Sequence, residues 1–144
     1  AFTISQLYVT QSLAQSMVEL SSNKWVVFIL INIFLLIAGF FLPPVAVIVM
    51  TSAILLPVIT TLGFDPYWFA IVFTINMEIG LITPPVGLNL YIIKGITPDV
   101  SLSEILKGSI PFMIIMALAI LILCIFPEIV TWLPDKIMGK ALGY

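Results

Sequence analysis

The sequence predicts an all-α membrane protein with a re-entrant helical hairpin, a discontinuous (unwound) transmembrane helix and a final transmembrane helix. Three observations predict it. Of the 144 residues, 62% are hydrophobic and only 8% charged, whereas a soluble domain carries about 25% charged residues; the mean hydropathy is +1.27. No charge falls among the 40 residues between Lys24 and Asp65, yet that run is interrupted by a glycine and paired prolines. Residues 80–91, GLITPPVGLNLY, place Pro84 and Pro85 between Gly80 and Gly87, inside a second apolar segment.

The same composition excludes several function classes. A net charge of −2 with no basic run argues against nucleic acid and against an anionic-lipid anchor. With no histidine and a single cysteine, Cys124, a transition-metal site and an intrachain disulfide are both ruled out as expectations. No serine stands with a base in reach, and Asp65 and Asp135 lie near interfaces, so an enzyme is not expected and no cofactor is called for. The chain opens at Ala1 without a methionine; it reads as a piece of a larger polypeptide or a split subunit.

Four segments follow in order: 1–23, 24–62, 63–96 and 97–144. In the first, Leu13, Met17 and Leu20 form one apolar stripe with Gln11, Gln15 and Glu19 elsewhere, the pattern of an amphipathic interfacial or arm helix. Ser21, Ser22 and Asn23 supply N-cap chemistry, so a new helix starts at Lys24 with Trp25 at headgroup level. One helix across the charge-free run would be about 60 Å long, twice a hydrocarbon core of about 30 Å. The chain must turn back, and residues 39–44 (GFFLPP) are the place. That turn has no polar side chain, which points to a re-entrant hairpin with its tip in the membrane; an ordinary two-helix hairpin with an apolar turn is the plainer alternative. Asn32 on the first arm and Thr51 and Ser52 on the second serve either helix–helix hydrogen bonding or ligand binding. Pro57 kinks the return arm.

Residues 63–67 (GFDPY) make the next turn. The helix that follows contains Asn76 and Glu78, then breaks at residues 82–87. Each proline removes an N–H and clashes with the preceding turn, and each disfavours the α region for the residue before it. Glu78 is an intramembrane carboxylate, either beside a coupling site or structural. Ser101 and Glu104 have capping-box spacing, so the last segment opens with a helix there. Pro111 bends it, and residues 111–126 form a plain span that Pro127 and Glu128 end. Lysines number three on one side and two on the other if the hairpin re-enters, so charge does not set the orientation.

Two interrupted apolar segments are the strongest pointer in the sequence to a midplane binding site. A helix that ends there offers carbonyls, which suit Na⁺; one that starts there offers amides, which suit a carboxylate. Leu42, Ile82, Thr83, Gly87 and Thr51 are assigned to the cation. Pro44, Pro85, Val86 and Asn89 are assigned to the substrate. Gly39, Pro43, Glu78, Gly80 and Pro84 shape or couple the two breaks. A non-transporting scaffold or assembly subunit is the competing function.

Residues 80–96, GLITPPVGLNLYIIKGI, preceded by INMEIG and followed by a Ser-Leu-Ser-Glu helix, resemble the C-terminal third of the large membrane subunit of tripartite ATP-independent periplasmic (TRAP) transporters. Residues 31–66 resemble that subunit's second hairpin, with Pro43 where many members carry an acidic residue. The resemblance implies an elevator-type secondary transporter with inverted repeats in the bacterial inner membrane, multi-pass. It implies Na⁺-coupled import of organic acids such as dicarboxylates or sialic acid. The implied partners are the remainder of the large subunit, a small membrane subunit, a periplasmic substrate-binding protein and the lipid bilayer. Inverted-repeat logic brings the hairpin in from the periplasmic side and leaves the C-terminus periplasmic.

Overall fold

The computed structural model describes residues 23–138. The expected amphipathic helix in residues 1–22 and the final tail lie outside them. Every regular element among the described residues is a helix: α1 (Lys24–Phe41), α2 (Pro44–Thr61), α3 (Pro66–Leu81), α4 (Leu88–Ile96), α5 (Leu102–Ile125) and α6 (Glu128–Met138). Three of them, α1, α2 and α5, are long and apolar enough to cross a membrane.

The helix boundaries follow from capping chemistry. Asn23 accepts the Trp25 N–H at 3.0 Å and opens α1. Asp65 accepts the N–H groups of Tyr67 and Trp68 at 2.8 and 2.9 Å and opens α3, with Pro66 in the first turn, where no helical N–H is needed. Ser101 and Glu104 complete the capping box that opens α5. The end of α2 is a Schellman turn: Gly63 takes φ +78, its N–H reaches Thr60 O at 3.0 Å, and the Phe64 N–H reaches Ile59 O at 3.1 Å.

Two features differ from the sequence reading. Helix α1 runs through Gly39 to Phe41, so the hairpin turn is made by Leu42 and Pro43 alone. Residues 128–138 form a helix of their own, α6, although Pro134 lies inside it. Helices α2 and α5 both continue through their internal prolines, Pro57 and Pro111.

Helix α3 is the hub, in contact with all five others. Its buried face comprises Trp68, Phe69, Val72, Phe73, Asn76, Met77 and Gly80. Against it α1 lays Val27, Phe28, Ile31, Leu35 and Gly39, a stripe of helical spacing. Three contacts fix the relative direction of these two helices. Phe28 meets Trp68 with ring centroids 5.1 Å apart, Asn32 is hydrogen-bonded to Asn76, and Gly39 abuts Gly80. The partners advance together along both chains, so α1 and α3 are parallel and their C-termini point the same way. Helix α2 returns between those two ends. Helix α5 comes back along α3 and α4: its last turn lies beside the start of α3, where the Trp68 indole N–H donates to Leu123 O at 2.7 Å. That bond satisfies a carbonyl that the helix end leaves without an intrahelical donor.

Candidate functional site

The chain leaves helical geometry twice at one level of the bundle. Beyond Leu81 the break runs over residues 82–87, and it contains a cis peptide between Pro84 and Pro85. Ile82 caps α3 with its N–H on the Ile79 and Gly80 carbonyls. The Thr83 hydroxyl donates to Ile79 O at 2.5 Å, and its N–H donates to Gly80 O at 3.3 Å. Gly87, at φ +49, caps α4; a Cβ there would stand 3.0 Å from Thr83 O and 2.9 Å from Leu90 Cδ1. Only glycine takes that left-handed conformation without strain.

The crossing of α1 and α3 places the hairpin turn beside this break. A Cβ on Gly80 would lie 2.9 Å from the Gly39 carbonyl carbon and 3.0 Å from Gly39 Cα. The two backbones touch, so Leu42, three residues past Gly39, and Ile82, two past Gly80, leave their helices within a turn of one contact. The sequence around each glycine is the same: G-x-x-x-P-P, as Gly39 with Pro43 and Pro44, and Gly80 with Pro84 and Pro85. A helical carbonyl is paired by the N–H four residues on, and proline has none. The carbonyls of Gly39 and Phe40 therefore have no i+4 donor, and neither do those of Gly80 and Leu81. Among the described residues Gly80 O is the one of these four with a donor, from the Thr83 and Ile82 N–H groups.

The remaining residues assigned from sequence divide by position. Leu42, Pro43, Pro84 and Pro85 are exposed on this chain, and Pro44, Ile82, Thr83, Val86 and Asn89 are half-buried around them. Thr51 lies about two turns into α2, and its hydroxyl donates to Val47 O at 2.8 Å, within its own helix. Glu78 is exposed on the side of α3 away from α1, two residues and so about 200° round from both Asn76 and Gly80. It is not buried against this chain's own breaks. A cleft of about 330 Å³ lined by Lys24, Trp25, Asp65, Trp68, Thr131 and Asp135 lies at the other end of the bundle, and none of these residues belongs to either break.

One polar contact ties the site's two walls below the crossing. Asn76 is 4% exposed. Its amide donates to the Asn32 backbone carbonyl at 2.9 Å and to Asn32 Oδ1 at 3.1 Å, and the Asn32 amide donates to Phe28 O at 2.8 Å. Of the two readings open for Asn32, helix–helix hydrogen bonding is the one seen.

A family model described as "Tripartite ATP-independent periplasmic transporter, DctM component" matches residues 1–129. The C4-dicarboxylate TRAP transporter large permease protein of Vibrio cholerae is 34% identical over 93% of this chain. The sialic acid TRAP transporter large permease protein of the same organism is 30% identical over 90% of it. The isethionate TRAP transporter permease protein of Oleidesulfovibrio alaskensis is 36% identical over 84%. The chain belongs to the DctM family.

The chain spans 29%, 30% and 19% of the length of these three relatives. This DctM-family chain thus holds two adjacent interruptions, with exposed prolines at both. Sequence reasoning assigned residues of both breaks to one site, but it did not find the Gly39–Gly80 contact that brings them together. The signal that links them was the repeated G-x-x-x-P-P spacing.

Proposed function

We propose that this chain contributes one wall of the binding site of a Na⁺-coupled secondary transporter that imports organic anions across the bacterial inner membrane. The observation that carries the reading is the Gly39–Gly80 crossing. It gathers carbonyls that have lost their donors at the C-terminal, partially negative ends of two parallel helices. That is a cation environment built from hard oxygens. The starts of α2 and α4 lie next to it, and their first amides suit a carboxylate or sulfonate. The relatives named for C4-dicarboxylates, sialic acid and isethionate all act on organic anions, which supports that substrate class.

Lengths favour the re-entrant hairpin. From the level of Leu123 beside Trp68, α5 extends back about 32 Å, whereas Gly80 lies only about 18 Å beyond Trp68. The hairpin turn, about 4 Å past the crossing, then ends some 10 Å short of the far end of α5. The break followed by α4 covers that remaining distance. Non-helical backbone at such depth is tolerated only against protein or a watery cavity, so the remainder of the large subunit supplies the opposing wall. In the elevator scheme the breaks travel with the substrate, which a periplasmic binding protein delivers while a small membrane subunit braces the scaffold. A pure scaffold has no use for two adjoining breaks.

The test uses the complete permease, its small subunit and its binding protein in proteoliposomes. Uptake of the organic anion held by that binding protein is measured with and without an inward Na⁺ gradient. Thr83→Val and Gly87→Leu are each expected to abolish most Na⁺-driven uptake while the purified complex stays assembled. Unchanged uptake in both variants refutes the site assignment.

A further inference from the structure

We infer that Asn76 is a positioning residue: through Asn32 it fixes the axial register of α1 on α3, and so the level at which the two helix ends present their carbonyls to the cation. This rests on the transporter reading above. The geometry that points to it is a chelate. One amide group, Asn76 Nδ2, holds both the backbone carbonyl and the side-chain oxygen of a single residue, Asn32, at 2.9 and 3.1 Å. The Asn32 side chain is itself held by Phe28 O at 2.8 Å, so the acceptor is oriented before Asn76 arrives.

The bonds from Asn76 are the directional contacts between α1 and α3 among the described residues. The contacts around it are apolar: Phe28, Ile31 and Leu35 on α1 against Phe69, Val72, Phe73 and Met77 on α3. Apolar contacts of that kind are non-directional one by one, though the close-packed stripe as a whole also resists displacement. The Gly39–Gly80 contact permits close approach, and glycine faces offer no side chain to resist translation. A shift by one residue moves α1 by about 1.5 Å and turns it by about 100°, and both bonds from Asn76 would be lost. The same shift would move the Gly39 and Phe40 carbonyls by about 1.5 Å relative to Leu81. Cation coordination by oxygens spans only a few tenths of an ångström, so register decides affinity. Asn76 does this from a buried position below the break, without touching the ion.

The experiment compares Asn76→Leu, Asn32→Leu and the double variant Asn32→Leu/Asn76→Leu in the complete transporter in proteoliposomes. Thermal stability of the purified complex is followed alongside the Na⁺ concentration for half-maximal uptake. Asn76→Leu removes both bonds and leaves Asn32 Oδ1 without its donor, so it is expected to lose both stability and Na⁺ affinity. Asn32→Leu removes the Oδ1 bond but keeps the one to the backbone carbonyl, so smaller losses are expected. The double variant replaces both partners with apolar groups of similar size, so stability returns towards wild type. Register stays unfixed, and the half-saturating Na⁺ concentration remains raised on the order of tenfold to a hundredfold, the range seen when an outer-shell partner of a metal site is lost. A double variant that regains both stability and wild-type Na⁺ dependence overturns the inference and leaves the pair purely structural. An Asn76→Leu variant with unaltered Na⁺ dependence overturns it too. A wild-type transporter that ignores Na⁺ instead refutes the transporter reading, and the inference falls with it.

Discussion

Gly80→Ala is the most direct probe of the crossing. The new methyl carbon would sit 2.9 Å from the Gly39 carbonyl carbon, 3.0 Å from its Cα and 3.1 Å from its oxygen. Carbon atoms rest at about 3.5–4.0 Å, so α1 and α3 must separate by roughly 0.6–1 Å. All three obstructing atoms are backbone, so no side chain can rotate out of the way. Overpacking of this kind costs about 1–3 kcal/mol. Gly39→Ala is the internal control, because its methyl would meet first the flexible Met77 Cε, at 3.4 Å, and a cost below about 1 kcal/mol is expected where a side-chain end can yield. Thermal denaturation of the two purified permease variants, followed by Na⁺ titration of uptake, measures both effects. The expected order is a clear loss for Gly80→Ala and a slight one for Gly39→Ala. Equal losses, or a Gly80→Ala protein indistinguishable from wild type, would show that the backbones do not meet as described.

Three further outcomes follow from local geometry. Gly87→Ala forces a Cβ onto a residue at φ +49 and into Leu90 and the Thr83 carbonyl; it is expected to cost at least about 1–2 kcal/mol and to weaken substrate binding measured by uptake kinetics. Trp68→Phe keeps the ring against Phe28 and Phe64 but removes the donor to Leu123 O; a stability loss of about 1–3 kcal/mol is expected for the orphaned carbonyl, read as a lower melting temperature with Na⁺ affinity unchanged. Ser101→Ala breaks the capping box at the start of α5 and should lower stability by about 1 kcal/mol, again with transport parameters intact, because neither Ser101 nor Glu104 belongs to either break.

Local chemistry was legible, and tertiary pairing was not. The starts of α1 and α5 were read from Asn23 and Ser101, because a cap is a contact between residues two or three apart; Asp65, which caps α3, was read only as part of a turn. The unwinding at residues 82–87 was legible for the same reason: two prolines act on their own turn. Gly39 was read as part of a turn, yet it is helical and serves the contact with Gly80, 41 residues away. No local rule distinguishes a turn glycine from a packing glycine when prolines follow both. The Asn32–Asn76 bond was beyond reach too, since its partners are 44 residues apart and either amide could have faced a ligand. The outward direction of Glu78 was in fact available: once Gly80 is placed against α1, a residue two positions earlier points about 200° away. Helix α6 was obscured by Pro127 and Pro134, which bracket too few residues for a clear helical period.

In the proposed site, the G-x-x-x-P-P pattern couples two effects that a binding wall in a membrane needs together. The glycine removes the side chain that would hold two helices apart, and the prolines four and five residues on remove the donors that would have occupied that turn's carbonyls. Either half alone is unproductive: close packing without prolines gives two sealed helices, and prolines without close packing scatter the free carbonyls through lipid, where each unpaired group costs several kcal/mol. Using the pattern once on each of two parallel helices brings two helix ends with unpaired carbonyls beside one backbone contact, with both helix dipoles presenting their negative ends. On the proposed reading, the exposed Leu42, Pro43, Pro84 and Pro85 around that point are the rim on which the rest of the permease closes, because a wall so polar in its backbone cannot face acyl chains. A structure of the complete transporter with lipid, rather than protein or water, against those four residues would contradict the argument at its root.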